Sequence, residues 1–119
     1  MRVLLIEDND LLQEAMRRLI ERLLPAARID VVDNAPEAIQ QLDTIAYDYI
    51  LSDYSLRIGT GGDVLRHVRA SFKFYVERNR FILLTGLIDE AVHLQHPLTF
   101  EKPLRFSKLA ELLTAAPPP

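Results

Sequence analysis

Five side chains in this sequence could do chemistry together: Glu7, Asp8, Asp53, Thr85 and Lys102. Carboxylates gathered at one place repel unless a cation neutralises them or a proton is shared. With oxygen donors only and no His or Cys beside them, a hard divalent ion is the natural partner. Mg²⁺ suits best, because it binds through one or two carboxylates, keeps waters and reserves positions for phosphate oxygens. A carboxylate can also attack phosphorus and form an aspartyl phosphate. The Lys102 ammonium and the Thr85 hydroxyl would then hold phosphoryl oxygens, by charge and by hydrogen bond respectively. Each residue alone has a commoner explanation. An Asp or Thr ending a strand usually caps a turn or helix, and a Lys before Pro is usually a solvated charge. What counts is that all of them follow strands in one series.

The elements that must position them are legible as alternating patterns. Apolar runs at residues 3–6, 29–32, 49–51 and 81–84 are continuous, as in strands buried on both faces of a parallel sheet, and 98–102 is a weaker fifth. Leu11, Leu12, Ala15, Met16, Leu19, Ile20, Leu23 and Leu24 form a helical stripe opposite Glu14, Arg17, Arg18, Glu21 and Arg22. Asn9 or Asp10 caps that helix and Pro25 stops it. Pro36 suits the first turn of a second helix over 37–42, capped by Asn34 or Ala35. Gly59, Thr60, Gly61 and Gly62 read as a mobile turn, followed from Asp63 by a long third helix using Val64, Leu65, Val68, Phe72 and Val76. A short helix over 89–94 is weakly marked, and the last helix covers 106–113 with Leu109, Leu112 and Leu113 inward. Strands alternating with helices imply right-handed βαβ crossovers and an open parallel sheet. In such sheets the working crevice lies outside the carboxyl ends of the strands. Glu7 and Asp8, Asp53, Thr85 and Lys102 all fall there.

Composition narrows the classes. The chain's 119 residues fit one domain. A net charge of −3 with scattered basic residues argues against direct nucleic-acid binding. There is no cysteine, which excludes disulfides and thiolate chemistry. No apolar run reaches membrane-spanning length and the first residues lack a signal-peptide pattern, so the expectation is a cytoplasmic protein without a membrane association. His93 and His96 are three apart but have no third ligand, and His67 reads as a surface residue.

The motifs resemble receiver domains of two-component response regulators. The strand ending Glu7-Asp8-Asn9 resembles the family's opening acidic pair, and residues 47–56 resemble its third strand with the phosphoacceptor Asp53. Leu83-Leu84-Thr85-Gly86 and Glu101-Lys102-Pro103-Leu104 resemble its hydroxyl and Lys-Pro steps. The resemblance covers essentially the whole chain. It implies a flavodoxin-like (βα)5 doubly wound α/β fold, with a five-stranded parallel sheet in the order 2-1-3-4-5. It implies Mg²⁺ on Asp8, Asp53 and the backbone carbonyl of Ser55, with Glu7 helping through water, and Thr85 and Lys102 on the phosphoryl group. Residues 1–116 would be the receiver, and the prolines at 117–119 the start of a linker. The implied donor is a phosphohistidine on a sensor histidine kinase or a phosphotransfer protein. The output would be a C-terminal effector domain or a downstream protein, through a switched interaction surface. A homodimer is compatible with it.

The sequence also departs from the family. Arg57 stands where Pro is common, four residues past the acceptor, and Thr99 stands at the aromatic switch position. Phe100 is adjacent but should point to the other face of its strand. The stretch from Thr85 to Lys102 is short, so the fourth of the family's helices should be shortened or irregular. Thr99 and the short fourth-helix region motivate an alternative: a pseudo-receiver acting as a phosphorylation-independent interaction module. A phosphohydrolase on external substrates is disfavoured, since Ser55 stands where that chemistry wants a second Asp. The chain is therefore expected to catalyse only transfer onto its own Asp53 and the hydrolysis that follows.

Overall fold

The computed structural model describes residues 1–114, so the proline tail at 117–119 lies outside the described residues. Five strands form one parallel sheet: β1 (Arg2–Ile6), β2 (Arg28–Val32), β3 (Tyr49–Asp53), β4 (Phe81–Thr85) and β5 (Thr99–Glu101). Their order is β2-β1-β3-β4-β5, the doubly wound arrangement expected, with the chain reversing direction across the sheet beside β1 and β3. Among the described residues six α-helices accompany them, five between strands and the sixth after β5: α1 (Asp10–Leu23), α2 (Ala35–Thr44), α3 (Gly61–Ser71), α4 (Phe74–Glu77), α5 (Ile88–Ala91) and α6 (Phe106–Thr114). A 3-10 turn over Val92–Leu94 extends α5.

Strand side chains alternate between faces, and here both faces are buried. Leu4, Ile6, Ile50, Phe81 and Leu83 pack with Ala38 and Leu42 of α2, Val64, Leu65 and Val68 of α3, and Tyr75 of α4. Val3, Leu5, Tyr49, Leu51, Ile82 and Leu84 pack on the opposite side with Ile20 of α1 and Leu109 and Leu113 of α6. This double burial is why the strand runs are continuous rather than alternating. Phe100 joins the α1/α6 side, on the face opposite its neighbour, as strand geometry requires.

The helix starts are set by side-chain caps. Asn9 accepts from the Leu12 amide, and Asn34 from the Glu37 amide at 2.9 Å. Thr60 and Asp63 form a reciprocal capping box. That box begins α3 at Gly61, two residues earlier than the spacing suggests. The glycine segment is not a free loop, since Gly61 and Gly62 are buried in the first turn.

The expected long third helix is also corrected. It ends at Ser71, Phe72 leaves helical geometry (φ −142°, ψ 55°), and the chain restarts as α4. The break turns Tyr75 inward, where its hydroxyl accepts from the Tyr47 amide at 2.8 Å. Tyr75 rather than Val76 is thus the fully buried anchor. At the start of α1, Leu11 and Leu12 are exposed, and so is Ala15; the apolar stripe packs on the sheet only from Met16 onward, with Met16, Leu19 and Leu23 half-buried and Ile20 fully buried. His67 is half-buried, not a free surface residue: its Nε2 lies 2.7 Å from Asp43 and ties α3 to α2.

Candidate phosphoacceptor site

Three strand ends assemble the centre. Glu7 follows β1, Asp53 ends β3, and Lys102 follows β5, so the topology alone brings them to one edge of the sheet. The Lys102 ammonium lies 2.8 Å from Glu7 Oε1 and 3.0 Å from Asp53 Oδ2. Glu7 and Asp53 are both buried, whereas Asp8 is exposed at the mouth. One oxygen from each of Glu7, Asp8 and Asp53 falls within 4.8 Å of the others.

Three carboxylates against one ammonium leave negative charge uncompensated when all are ionised. The consequences appear in the titration of the neighbours. Burial, a hydrogen bond with Glu7 and the Glu7 charge together raise the Asp8 carboxyl above its ordinary value. Burial works against the Lys102 ammonium, but its hydrogen bonds to Glu7 and Asp53 outweigh it and raise the pKa. A divalent cation would relieve this excess. The donor set consists of oxygens only and converges at one place, which is what a hard divalent ion such as Mg²⁺ asks of its ligands. The residues therefore fit a hard divalent ion. Glu7 is the least free of the three, since Oε1 is held by Lys102 and Oε2 accepts from the Asp8 and Asn9 amides at 3.0 and 3.3 Å. That suits it to act through water rather than directly.

The remaining residues singled out by sequence lie around this centre. Thr85 ends β4, one position beyond Leu84, which pairs with Asp53 in the sheet. Its hydroxyl is fully buried and hydrogen-bonded to the Leu87 carbonyl at 2.9 Å and to the Glu90 carboxylate. Ser55 lies two residues past Asp53, exposed, in an isolated bridge with Thr60. Thr99 begins β5 and donates to the His96 carbonyl at 2.7 Å. His93 and His96 do not converge. The His93 ring meets Tyr54 edge-on, while His96 is buried and donates from Nε2 to the Phe81 carbonyl.

The loop at 54–60 is held tightly despite its glycines. The Gly61 amide donates to the Tyr54 carbonyl at 2.7 Å, which seats α3 against the end of β3. Arg57, the departure noted above, makes a two-pronged ion pair with Asp33, both bonds 3.1 Å. That pair ties the loop after β3 to the loop after β2. Its hydrogen bonds, together with one from Asn34, lower the Asp33 pKa. Sequence reading missed both Arg57–Asp33 and Glu90. Neither has a motif, because each partner is fixed only by the packing of loops distant in sequence or by the irregular turn at α5.

Beside Lys102 a groove of about 340 Å³ opens between α1 and the turn before α6, lined chiefly by Leu12, Met16, Leu19, Leu84, Pro103 and Leu104. It runs from the exposed Leu12 to Glu7 and Lys102 at the edge of the site.

The family model for the response regulator receiver domain matches residues 3–113, and the chain belongs to that family. No curated protein sequence matches it. Among solved structures it is similar to the receiver domain of a sensor histidine kinase from Pseudomonas aeruginosa, which was crystallised with a magnesium ion coordinated in its active-site cleft. The two share 25% identity over 94% of this chain and 93% of that one, with a TM-score of 0.80. The receiver domain of a DNA-binding response regulator from Colwellia psychrerythraea shares 24% identity, over 95% of this chain and 94% of that one, at a TM-score of 0.78. A CheY-like receiver from Methylobacillus flagellatus shares 24% over 95% of each chain, at 0.75. The last two establish likeness of fold.

Proposed function

We propose that this receiver accepts a phosphoryl group on Asp53 in a Mg²⁺-dependent reaction and thereby switches an interaction surface. The observation that carries this reading is the pairing of one ammonium, Lys102, with the buried Asp53 and Glu7 carboxylates, beside Asp8. A structural ion pair needs one carboxylate; this site has three.

In the transfer, an Asp53 carboxylate oxygen attacks phosphorus of a phosphohistidine. The P–O bond forms as the P–N bond breaks, and the electron pair returns to the donor imidazole. Lys102 then exchanges its contact with Asp53 for a phosphoryl oxygen, and Thr85 offers its hydroxyl to another. Water later attacks phosphorus, releasing inorganic phosphate and restoring the Asp53 carboxylate. Asp8, Asp53 and the Ser55 carbonyl would hold Mg²⁺, with Glu7 acting through water. When bound, the ion neutralises the carboxylates and the developing phosphoryl charge. The turnover is on the protein's own side chain, not on an external substrate.

A sensor histidine kinase or phosphotransfer protein would supply the group. The apolar groove beside Lys102, with exposed Leu11 and Leu12, suits the approach of such a donor. An effector domain or downstream protein would read the result, in the cytoplasm. The magnesium ion of the Pseudomonas aeruginosa receiver supports the metal assignment. The pseudo-receiver reading draws on Thr99, which occupies the switch position with its hydroxyl turned to the His96 carbonyl, and on the single turn of α5.

Intact mass after incubation with acetyl phosphate separates the two. One added phosphoryl group, not acquired when Mg²⁺ is chelated beforehand and absent from Asp53→Asn, is the expected result. A folded chain that binds no Mg²⁺ and gains no mass would overturn the proposal in favour of the pseudo-receiver.

A further inference from the structure

The Thr85 hydroxyl is already committed in this structure. It is fully buried, receives the Leu87 amide at 3.2 Å, and faces two acceptors: the Leu87 carbonyl and the Glu90 carboxylate. A hydroxyl has one proton to donate, and a carboxylate is the stronger acceptor. A phosphoryl oxygen on Asp53 can therefore receive that proton only if Glu90 gives it up. Glu90 itself sits half-buried in α5, a helix of four residues without a side-chain cap. The bond to Thr85 ties that single turn to the end of β4.

We propose that Glu90 is a positioning residue for phosphoryl transfer, holding Thr85 in its resting arrangement by competing with the phosphoryl group for the hydroxyl proton. This rests on the reading of Asp53 as phosphoacceptor. Two consequences follow from the geometry. Occupancy of the site is opposed by the Glu90–Thr85 bond, so the resting state is favoured until a phosphoryl group outcompetes the carboxylate. Breaking that bond also frees the turn that presents Leu87, Ile88 and Val92, three exposed apolar side chains. The switch would then run through Thr85, Glu90 and α5, and would not need an aromatic at Thr99.

The test is a calorimetric titration of the full chain with beryllofluoride, a phosphoryl mimic, at saturating Mg²⁺. Glu90→Ala should tighten binding roughly tenfold, the effect of removing one charge-assisted hydrogen bond from the resting state. Glu90→Gln should tighten it less, because an amide oxygen still accepts a neutral bond. In a Thr85→Ala background, Glu90→Ala should change nothing, since the coupling runs through the hydroxyl. Unchanged or weaker binding in Glu90→Ala overturns the proposal, as does an equal gain in the Thr85→Ala background. A purely structural Glu90 would lower the melting temperature and weaken binding together. If the wild-type chain shows no Mg²⁺-dependent beryllofluoride binding, the phosphoacceptor reading fails first and the proposal falls with it.

Discussion

Replacing Gly61 with Ala probes how closely α3 is fitted to the phosphoacceptor strand. A Cβ there would lie 2.4 Å from the Asp53 carbonyl oxygen, 2.8 Å from Leu83 Cδ1 and 3.0 Å from Ser52 Oγ. The Leu83 methyl can swing aside, but the Asp53 carbonyl is main chain. Nor can the helix start retreat freely, because the Gly61 amide donates to the Tyr54 carbonyl at 2.7 Å. Overpacking of this kind costs about 3 kcal/mol at the upper end of its usual range. Ala recovers about 1 kcal/mol of helix propensity. The net loss of about 2 kcal/mol corresponds to a fall in melting temperature of roughly 8 °C for a domain this size. Gly86 is the control, since a Cβ there meets nothing within 4 Å. Gly86→Ala should be neutral, or stabilising by up to about 1 kcal/mol. Thermal unfolding followed by circular dichroism measures both. Because the displaced group is Asp53 itself, Gly61→Ala should also slow phosphorylation by acetyl phosphate. A Gly61→Ala protein melting at or above wild type would refute the packing argument.

Lys102→Met should destabilise the metal-free protein by about 3 kcal/mol, by leaving the buried Glu7 and Asp53 carboxylates without their cation. Added Mg²⁺ should then raise its melting temperature more than it raises that of wild type; an equal or smaller rise would contradict the charge balance described here. His96 is buried, and its Nδ1 has no hydrogen-bond partner among the described residues. Burial lowers its pKa from the ordinary value of 6.5, although the bond to Phe81 opposes the shift. The folded state thus binds fewer protons than the unfolded state just below that pH, so this contribution to stability is present above 6.5 and declines as pH falls beneath it. Denaturant unfolding of wild type and His96→Gln over that range should show a shallower acid decline in the variant; parallel curves would reject the assignment. Asn34→Ala should cost about 1 kcal/mol through the lost α2 cap, measured as a lower denaturant midpoint with an unchanged slope.

The sheet was legible because its strands are buried on both faces, which leaves unbroken apolar runs such as Val3 to Ile6. The candidate site was legible for a related reason. In a parallel sheet every strand ends on the same edge, so residues after the runs must meet there. Periodicity failed where it cannot see neighbours. Leu11 and Leu12 continue the α1 stripe in sequence, but both stay exposed, Leu12 on the wall of the groove beside Lys102 rather than in the core. Val68, Phe72 and Val76 keep helical spacing through a break at Phe72 that the Tyr75–Tyr47 bond accounts for. The start of α3 was hidden because two glycines argue against a helix, whereas the Thr60–Asp63 box and the close approach to Asp53 require one there. Glu90 carried no signal at all. A lone carboxylate in a weakly patterned segment becomes meaningful only when the turn sets it against Thr85.

The most direct test of the account locates the phosphoryl group. The chain is treated with acetyl phosphate and Mg²⁺, then with borohydride, which reduces an acyl phosphate to an alcohol and leaves free carboxylates intact. Peptide mapping should find homoserine at position 53 in the treated protein, and none there when Mg²⁺ is chelated. Reduction at Glu7 or Asp8 in place of Asp53, or no reduced residue in a chain that has taken up phosphate, would contradict it.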